Sequence, residues 1–230
     1  MRKIFTSVLS LCALVSSAQT IAGWNFNAEN STPTAGFGSI TLIGGTTSTY
    51  AGGFASGSRA LNTSTYPAAS ASSGTAGIQI AVSTVGVSNV IFGWNHRHSG
   101  SSSRFAKVQY TLDGTNYQPF DLTPTNCTGI SSNSNIDYTN DVFLTTAQDI
   151  WTYRTINFSG ITGANNNANF AVRIVSVFDP AGTNYVATGG GTYATTGTWR
   201  FDDIEFSQGA TLPISLQQFT VTGKAGKALL

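Results

Sequence analysis

Only two histidines occur in the 230-residue chain, and they stand two apart in Asn95-His96-Arg97-His98. On a strand, residues i and i+2 leave the same face, so the pair forms half of a zinc site that an Asp or a third His would have to complete. The nearest acids, Asp113 and Asp121, stand at no recognisable ligand spacing. The same parity carries Phe92 and Trp94. The expectation is therefore a strand with a dry end at Phe92 and Trp94 and a wet end at His96 and His98. In the functional reading of that strand, Trp94, Arg97 and His98 form part of a ligand-binding rim.

The second chemical feature is Trp199-Arg200-Phe201-Asp202-Asp203-Ile204-Glu205-Phe206. In a regular strand Trp199 and Phe201 point one way while Ile204 and Phe206 point the other. Placing all four on one face requires a one-residue bulge at Asp202-Asp203. Two adjacent carboxylates at a bulge, joined by Glu29 from the first strand region, would supply oxygen ligands to a structural calcium. The alternative is an ion pair from Asp202 to Arg173 or Arg200 that holds strands in register.

No catalytic residue is assigned. The 10 acidic residues fall mostly in turn contexts, such as Asp113 before Gly114 and Asp179 before Pro180, and a polysaccharide hydrolase would need a facing pair. A Gly-x-Ser-x-Gly elbow is absent, and Gly189-Gly190-Gly191 is followed by no Lys that would mark a phosphate loop. Binding has more support. Three segments rich in Gly, Ser, Thr and Asn, 46–73, 126–140 and 180–197, carry or adjoin Tyr50, Tyr66, Tyr138, Tyr185 and Tyr193. An aromatic face covers the apolar face of a sugar ring while Asn and Ser reach its hydroxyls. Tyr185 and Tyr193 are the candidates for that role, and the alternative is that these tyrosines pin the loops.

The elements that must position these groups read as strands. Val108-Gln109-Tyr110-Thr111-Leu112 alternates apolar and polar, and Asp113-Gly114 closes it with a hairpin dipeptide. Residues 90–94 and 170–178 are apolar on both faces, and the second run belongs at the centre of a sheet. Further strands are expected at 24–26, 38–42, 78–82, 117–120, 153–158 and 199–206. No helical stripe of useful length occurs. Charged residues make up 9% of the chain and hydrophobic residues 40%, which excludes a coiled coil and a highly charged disordered chain. The formal charge is +1 with no basic run, so the footprint of a nucleic-acid binder is missing.

At the N-terminus, Arg2 and Lys3 precede an apolar run from Ile4 to Val15 and small residues at Ser16 and Ala18, the pattern of a secretory leader spanning 1–18. Its removal lowers the formal charge by two, from +1 to −1, and leaves Cys127 as the lone cysteine. The apolar run is too short to span a bilayer, so the mature product is expected to be secreted or on the outer cell surface with no transmembrane segment.

Residues 90–99, followed by Ser103-Arg104-Phe105-Ala106-Lys107-Val108-Gln109-Tyr110-Thr111-Leu112-Asp113-Gly114, resemble a recurrent domain of secreted bacterial surface proteins that carry C-terminal sorting signals. In that domain a Trp-x-x-Arg-x-Ser strand precedes an Arg-Phe-x-x-Val-Gln-Tyr hairpin, and Gly197-Thr198-Trp199-Arg200-Phe201-Asp202 follows its closing pattern. The resemblance implies an all-β, antiparallel jelly-roll sandwich of the galactose-binding, discoidin-like kind over 19–208. Jelly rolls that bind carbohydrate often carry a calcium joining first and last strands, which is similar to the Glu29, Asp202, Asp203 set. Leu212-Pro213-Ile214-Ser215-Leu216, with Phe219 and Val221 after it, resembles the junction before the C-terminal region of Bacteroidetes proteins exported by the type IX secretion system. Residues 209–230 then read as a linker and the start of a following β domain in a longer multidomain protein. The function expected is a non-catalytic module that binds glycan or extracellular polymer. The alternatives are a structural spacer and a glycan-active hydrolase.

Overall fold

The computed structural model describes residues 19–123, 125–128, 134–137, 141–209, 222–224 and 227–229. The expected leader, Tyr138 and the junction motif at 212–221 lie outside the described residues. In chain order the strands are β1 (Gln19–Trp24), β2 (Ala35–Gly36), β3 (Gly38–Ile43), β4 (Thr47–Gly52), β5 (Arg59–Ser64), β6 (Gly77–Val82), β7 (Val90–His98), β8 (Phe105–Thr111) and β9 (Gln118–Pro119). After these come β10 (Cys127–Thr128), β11 (Ser134–Asp137), β12 (Val142–Thr145), β13 (Trp151–Asn157), β14 (Ala171–Ser176) and β15 (Trp199–Gln208). The described residues contain one short 3-10 turn, Thr162–Ala164, and no helix long and apolar enough to cross a membrane.

The strands form the expected all-β jelly-roll sandwich. Its first sheet runs β10-β13-β7-β15-β1-β2, with the β4–β5 hairpin attached through β5 to β15. The second runs β11-β12-β8-β14-β6-β3, with β9 on β8. Every pairing is antiparallel. β14, the most apolar run in the sequence, lies between β8 and β6, where both of its faces find cover. The inner faces of the two sheets share one core, in which Phe206, Phe92 and Trp94 form a stack with successive centroids 4.5 and 4.7 Å apart. Such aromatic pairs add about 0.5–1.5 kcal/mol each beyond their buried area.

The bulge is where the parity of the sequence requires it. Asp202 pairs with Asn95 and Glu205 with Gly93, so Asp203 and Ile204 together oppose Trp94. Asp203 takes a φ of +44°, and Trp199, Phe201, Ile204 and Phe206 all reach the core. The fold also explains its position, because β15 exchanges its second neighbour there. Residues 199–201 pair with β5 and residues 204–208 with β1.

Three expectations change. The segment 46–73 is not one long loop, since β4 and β5 pair within it from Thr47↔Ser64 to Gly52↔Arg59. Its strand residues are mostly Thr, Ser, Asn and Ala, which satisfy a ladder without the apolar alternation that marks a strand in sequence. Within 126–140, β10 and β11 are likewise paired. The first strand ends at Trp24 rather than Phe26, because Phe26 takes a φ of +53° and turns the chain while its ring stays in the core.

Apart from the sandwich, β16 (Thr222–Lys224) and β17 (Lys227–Leu229) form a two-stranded antiparallel hairpin.

Candidate functional site

The outer face of the second sheet is built from two adjoining cross-strand rows. Thr41, Gln79, Arg173 and Gln109 are paired in one, and Ser39, Ala81, Ala171 and Thr111 in the next. In the first row, Arg173 Nε donates to Gln79 Oε1 at 2.9 Å, and its guanidinium lies 3.4 Å from the centre of the Tyr117 ring. The cation thereby holds the ring in place while burial pushes the phenol pKa up. In the second row the small side chains of Ala81 and Ala171 leave room above the sheet. A groove of about 430 Å³ results, bounded by Phe37, Tyr117 and Asn169 and floored by those alanines.

Phe37 is 89% exposed. Its neighbours explain how an aromatic ring is kept in water. A Cβ on Gly36, whose φ is +65°, would lie 1.8 Å from the Ile21 carbonyl oxygen, and one on Gly38 would lie 2.8 Å from the Trp24 ring. The chain passes so close to β1 and the core on both sides of Phe37 that only glycine fits, and the ring between them points outward. The groove's polar groups are neutral and have capacity to spare. The Asn169 and Ser39 side chains make no hydrogen bond among the described residues, and Gln79 uses only its oxygen. No carboxylate and no histidine lines the groove. Asp113, beside its Gly114 wall, spends its carboxylate on the backbone N–H groups of Thr115 and Asn116 and on two side chains, which hold its pKa far below the usual carboxylate range.

Sequence reasoning missed Phe37. The available signal was its setting, Gly36-Phe37-Gly38, a large apolar residue with no alternating partners in a stretch too glycine-rich for a core strand.

The residues singled out by sequence are placed differently. Trp94 and His98 are fully buried and offer no rim to a ligand, and the wet-end expectation for His96 and His98 is overturned with them. β7 runs through the centre of its sheet, and β13 contributes the fully buried Arg154 beneath that end. Arg154 Nη1 donates to His96 Nδ1 at 3.0 Å, which places the ring proton on Nε2. Arg154 Nη2 donates to the Thr145 hydroxyl, which in turn donates to His98 Nε2 at 3.2 Å. His98 Nδ1–H and Trp199 Nε1–H both donate to the Ser103 carbonyl at 2.9 Å. Burial, then the neighbouring charges, hold both histidine pKa values well below the ordinary range, and burial lowers that of Arg154 to about 9. Nothing in the sequence signals Arg154, since alternation assigns a face to a side chain without showing how that face is closed.

Arg97 reaches the surface and pairs with Asp149 at 2.7 Å. Tyr185 is buried, donates to the Ser72 carbonyl at 3.1 Å and stacks on the half-buried Tyr193 at 4.9 Å. Tyr193 in turn donates to the Pro67 carbonyl at 2.8 Å. These two rings pin segment 180–197 to segment 65–73, as do the hydroxyls of Tyr66, on Thr63, and Tyr50, on Ser31, within their own neighbourhoods.

The calcium set does not assemble. Glu29 pairs with Arg59 at 2.7 Å, Asp203 accepts from Asn95 Nδ2 at 3.0 Å, and the buried Asp202 accepts the backbone N–H groups of Phe54 and Asp203 at 2.8 and 2.9 Å. No group of three His, Cys, Asp or Glu that could hold a metal occurs among the described residues. Asp202 also lacks the expected arginine, because Arg173 belongs to the other sheet and Arg200 turns to Asn62 and the Gly52 carbonyl. Removing divalent cations with a chelator is therefore expected to leave the melting temperature unchanged. A fall of several degrees by calorimetry would contradict this arrangement.

No family model matches the chain, and no curated protein matches it. Solved structures give likenesses of low identity. The CBM22-1–GH10 modules of Clostridium thermocellum xylanase 10B, complexed with xylohexaose, match at 13% identity and a TM-score of 0.48, over 86% of this chain and 30% of that one. The CBM22-2 xylan-binding domain of Paenibacillus barcinonensis Xyn10C matches at 12% and 0.48, over 81% and 98%. The K1 cleaved adhesin domain of Lys-gingipain from Porphyromonas gingivalis matches at 8% and 0.40, over 85% and 100%.

Proposed function

We propose that the sandwich is a non-catalytic glycan-binding module whose groove on the second sheet takes a neutral sugar chain. One observation carries the reading: Phe37, an aromatic ring 89% exposed at the rim of a groove, contributes nothing to the core and gains only when a ligand covers it. Tyr117, clamped by Arg173, lines the same groove and adds a second aromatic ring for a pyranose to meet. The amides of Gln79 and Asn169 and the hydroxyl of Ser39 supply neutral donors and acceptors to its hydroxyls. Hydrolysis would call for two facing carboxylates, and the groove lining supplies none. We place the module outside the cell, as part of a longer surface protein, on the leader-like start and the junction-like motif at 212–221.

Phe37→Ala and Tyr117→Ala are each expected to weaken binding of a neutral oligosaccharide about tenfold, the loss of one ring contact of about 1–1.5 kcal/mol. Phe37→Ala should leave the melting temperature within a degree or two, because the ring is scarcely buried. Calorimetric titration of both variants against a panel of neutral oligosaccharides checks this. Unchanged affinity in both variants would overturn the assignment of the groove.

A further inference from the structure

The opposite face of the sandwich carries a second arrangement that neither the core nor the groove uses. Across four neighbouring strands of the first sheet, Asn62, Arg200, Arg97 and Trp151 are paired in one row on the outer face. Two guanidiniums thus stand directly opposite each other, a placement that costs stability unless the charge is answered. One carboxylate answers it. The Arg97 guanidinium meets the Asp149 carboxylate at 2.7 Å and donates from Nε to the Asp149 backbone carbonyl at 3.2 Å. Arg59 nearby has Glu29. Arg200 makes hydrogen bonds only to neutral partners, Asn62 Oδ1 and the Gly52 carbonyl, each at 3.2 Å; it feels the Asp149 carboxylate, which is already engaged by Arg97, and is opposed by the charges of Arg97 and Arg59.

Beside this row projects Phe54, 54% exposed, its ring edge-to-face with Trp151 at 6.3 Å. It is held there at some cost. Asp202, 1% exposed, gives its carboxylate to the Phe54 N–H, and burial raises the pKa of that acid. The turn is closed by Gly53 N–H on the Ser58 carbonyl at 2.9 Å. A carboxylate removed from water thus fixes a loop whose outward product is an aromatic ring near a cation with no carboxylate of its own in hydrogen-bond contact. Beyond this row on the same sheet, Asp203 and Glu205 lie near Tyr153, and their charges disfavour an anion at that end.

We propose that this face is a second carbohydrate site, independent of the groove, and that it takes an acidic sugar. A uronate carries its carboxylate directly on the pyranose ring, so the ring can lie on Phe54 and Trp151 while the carboxylate meets Arg200. Arg200 and Trp151 are two strands apart, about 10 Å at the backbone, a span that their side chains and one sugar unit close. The fork of an arginine suits a carboxylate, and a ring face suits the sugar.

The test titrates the full chain with an oligogalacturonate and with the same oligosaccharide after its carboxylates are reduced to alcohols. The uronate form should bind, with an affinity that falls as salt is raised. Reduction, Arg200→Gln and Phe54→Ala should each weaken binding about tenfold. Phe54 is exposed, so its variant keeps the test available if Arg200→Gln loses stability. Arg200→Gln should leave neutral oligosaccharide binding as it was, which separates failure of this site from failure of the groove. Equal binding of the reduced oligosaccharide, unchanged affinity in both variants, equal binding of free acetate, or no uronate binding at millimolar concentration would each overturn the proposal.

Discussion

Acidification from pH 7 toward 4.5 is expected to destabilise the sandwich strongly. His96 and His98 are buried 4.1 Å apart by ring centroid, beside Arg154 and with no carboxylate among their described contacts. Both folded-state pKa values lie well below the unfolded value near 6.5, first because of burial, and then, for His96, because of His98 and Arg154, and for His98 because of Arg154. The unfolded chain therefore binds these two protons more readily. Their contribution to stability is complete above pH 6.5 and is lost as the pH falls below it. Asp202 works in the opposite direction, since its raised pKa lets the folded state take up a proton more easily than the unfolded chain does. One carboxylate offsets only part of two imidazoles. Denaturant midpoints measured from pH 7 to pH 4.5 check the slope, and His96→Gln should reduce it by about half. A midpoint that stays level from pH 7 to pH 5 would contradict the buried, uncompensated pair.

Deleting Asp203 is expected to abolish folding, whereas Asp203→Gly should be tolerated. The bulge at this residue keeps Trp199 and Phe201 on the same side as Ile204 and Phe206. Removing one residue restores strict alternation, so one pair must turn to solvent. Losing the burial of two large side chains costs about 3–6 kcal/mol before the vacated core space is counted. Glycine keeps the residue count and accepts the φ of +44°, losing only the bond from Asn95. Circular dichroism of the two proteins decides between these outcomes. A folded deletion variant would show that the bulge is not what sets the register.

The bulge was legible because alternation is a strict rule and four large apolar residues broke it at one point. The central strand β14 was legible for a similar reason, since a run apolar on both faces has to be covered on both. The β4–β5 hairpin was not, because Thr, Ser and Asn form ladders without announcing a face. The histidines illustrate a different limit. Parity correctly put His96 and His98 beside Phe92 and Trp94, but whether that end was wet depended on Arg154 and Thr145, more than 45 residues away in the chain. Tyr185 and Tyr193 were recognised as notable and turned out to be fasteners, whereas Phe37, between two glycines whose close approaches are visible only in three dimensions, was passed over.

The central claim is that the groove between Phe37 and Tyr117 receives a neutral glycan. The most direct measurement is amide chemical-shift mapping of the isotopically labelled protein as a neutral oligosaccharide is added. Shifts concentrated at Phe37, Ser39, Gln79, Tyr117 and Asn169 are the predicted result. Shifts confined to other parts of the sandwich, or none at saturating sugar, would contradict it.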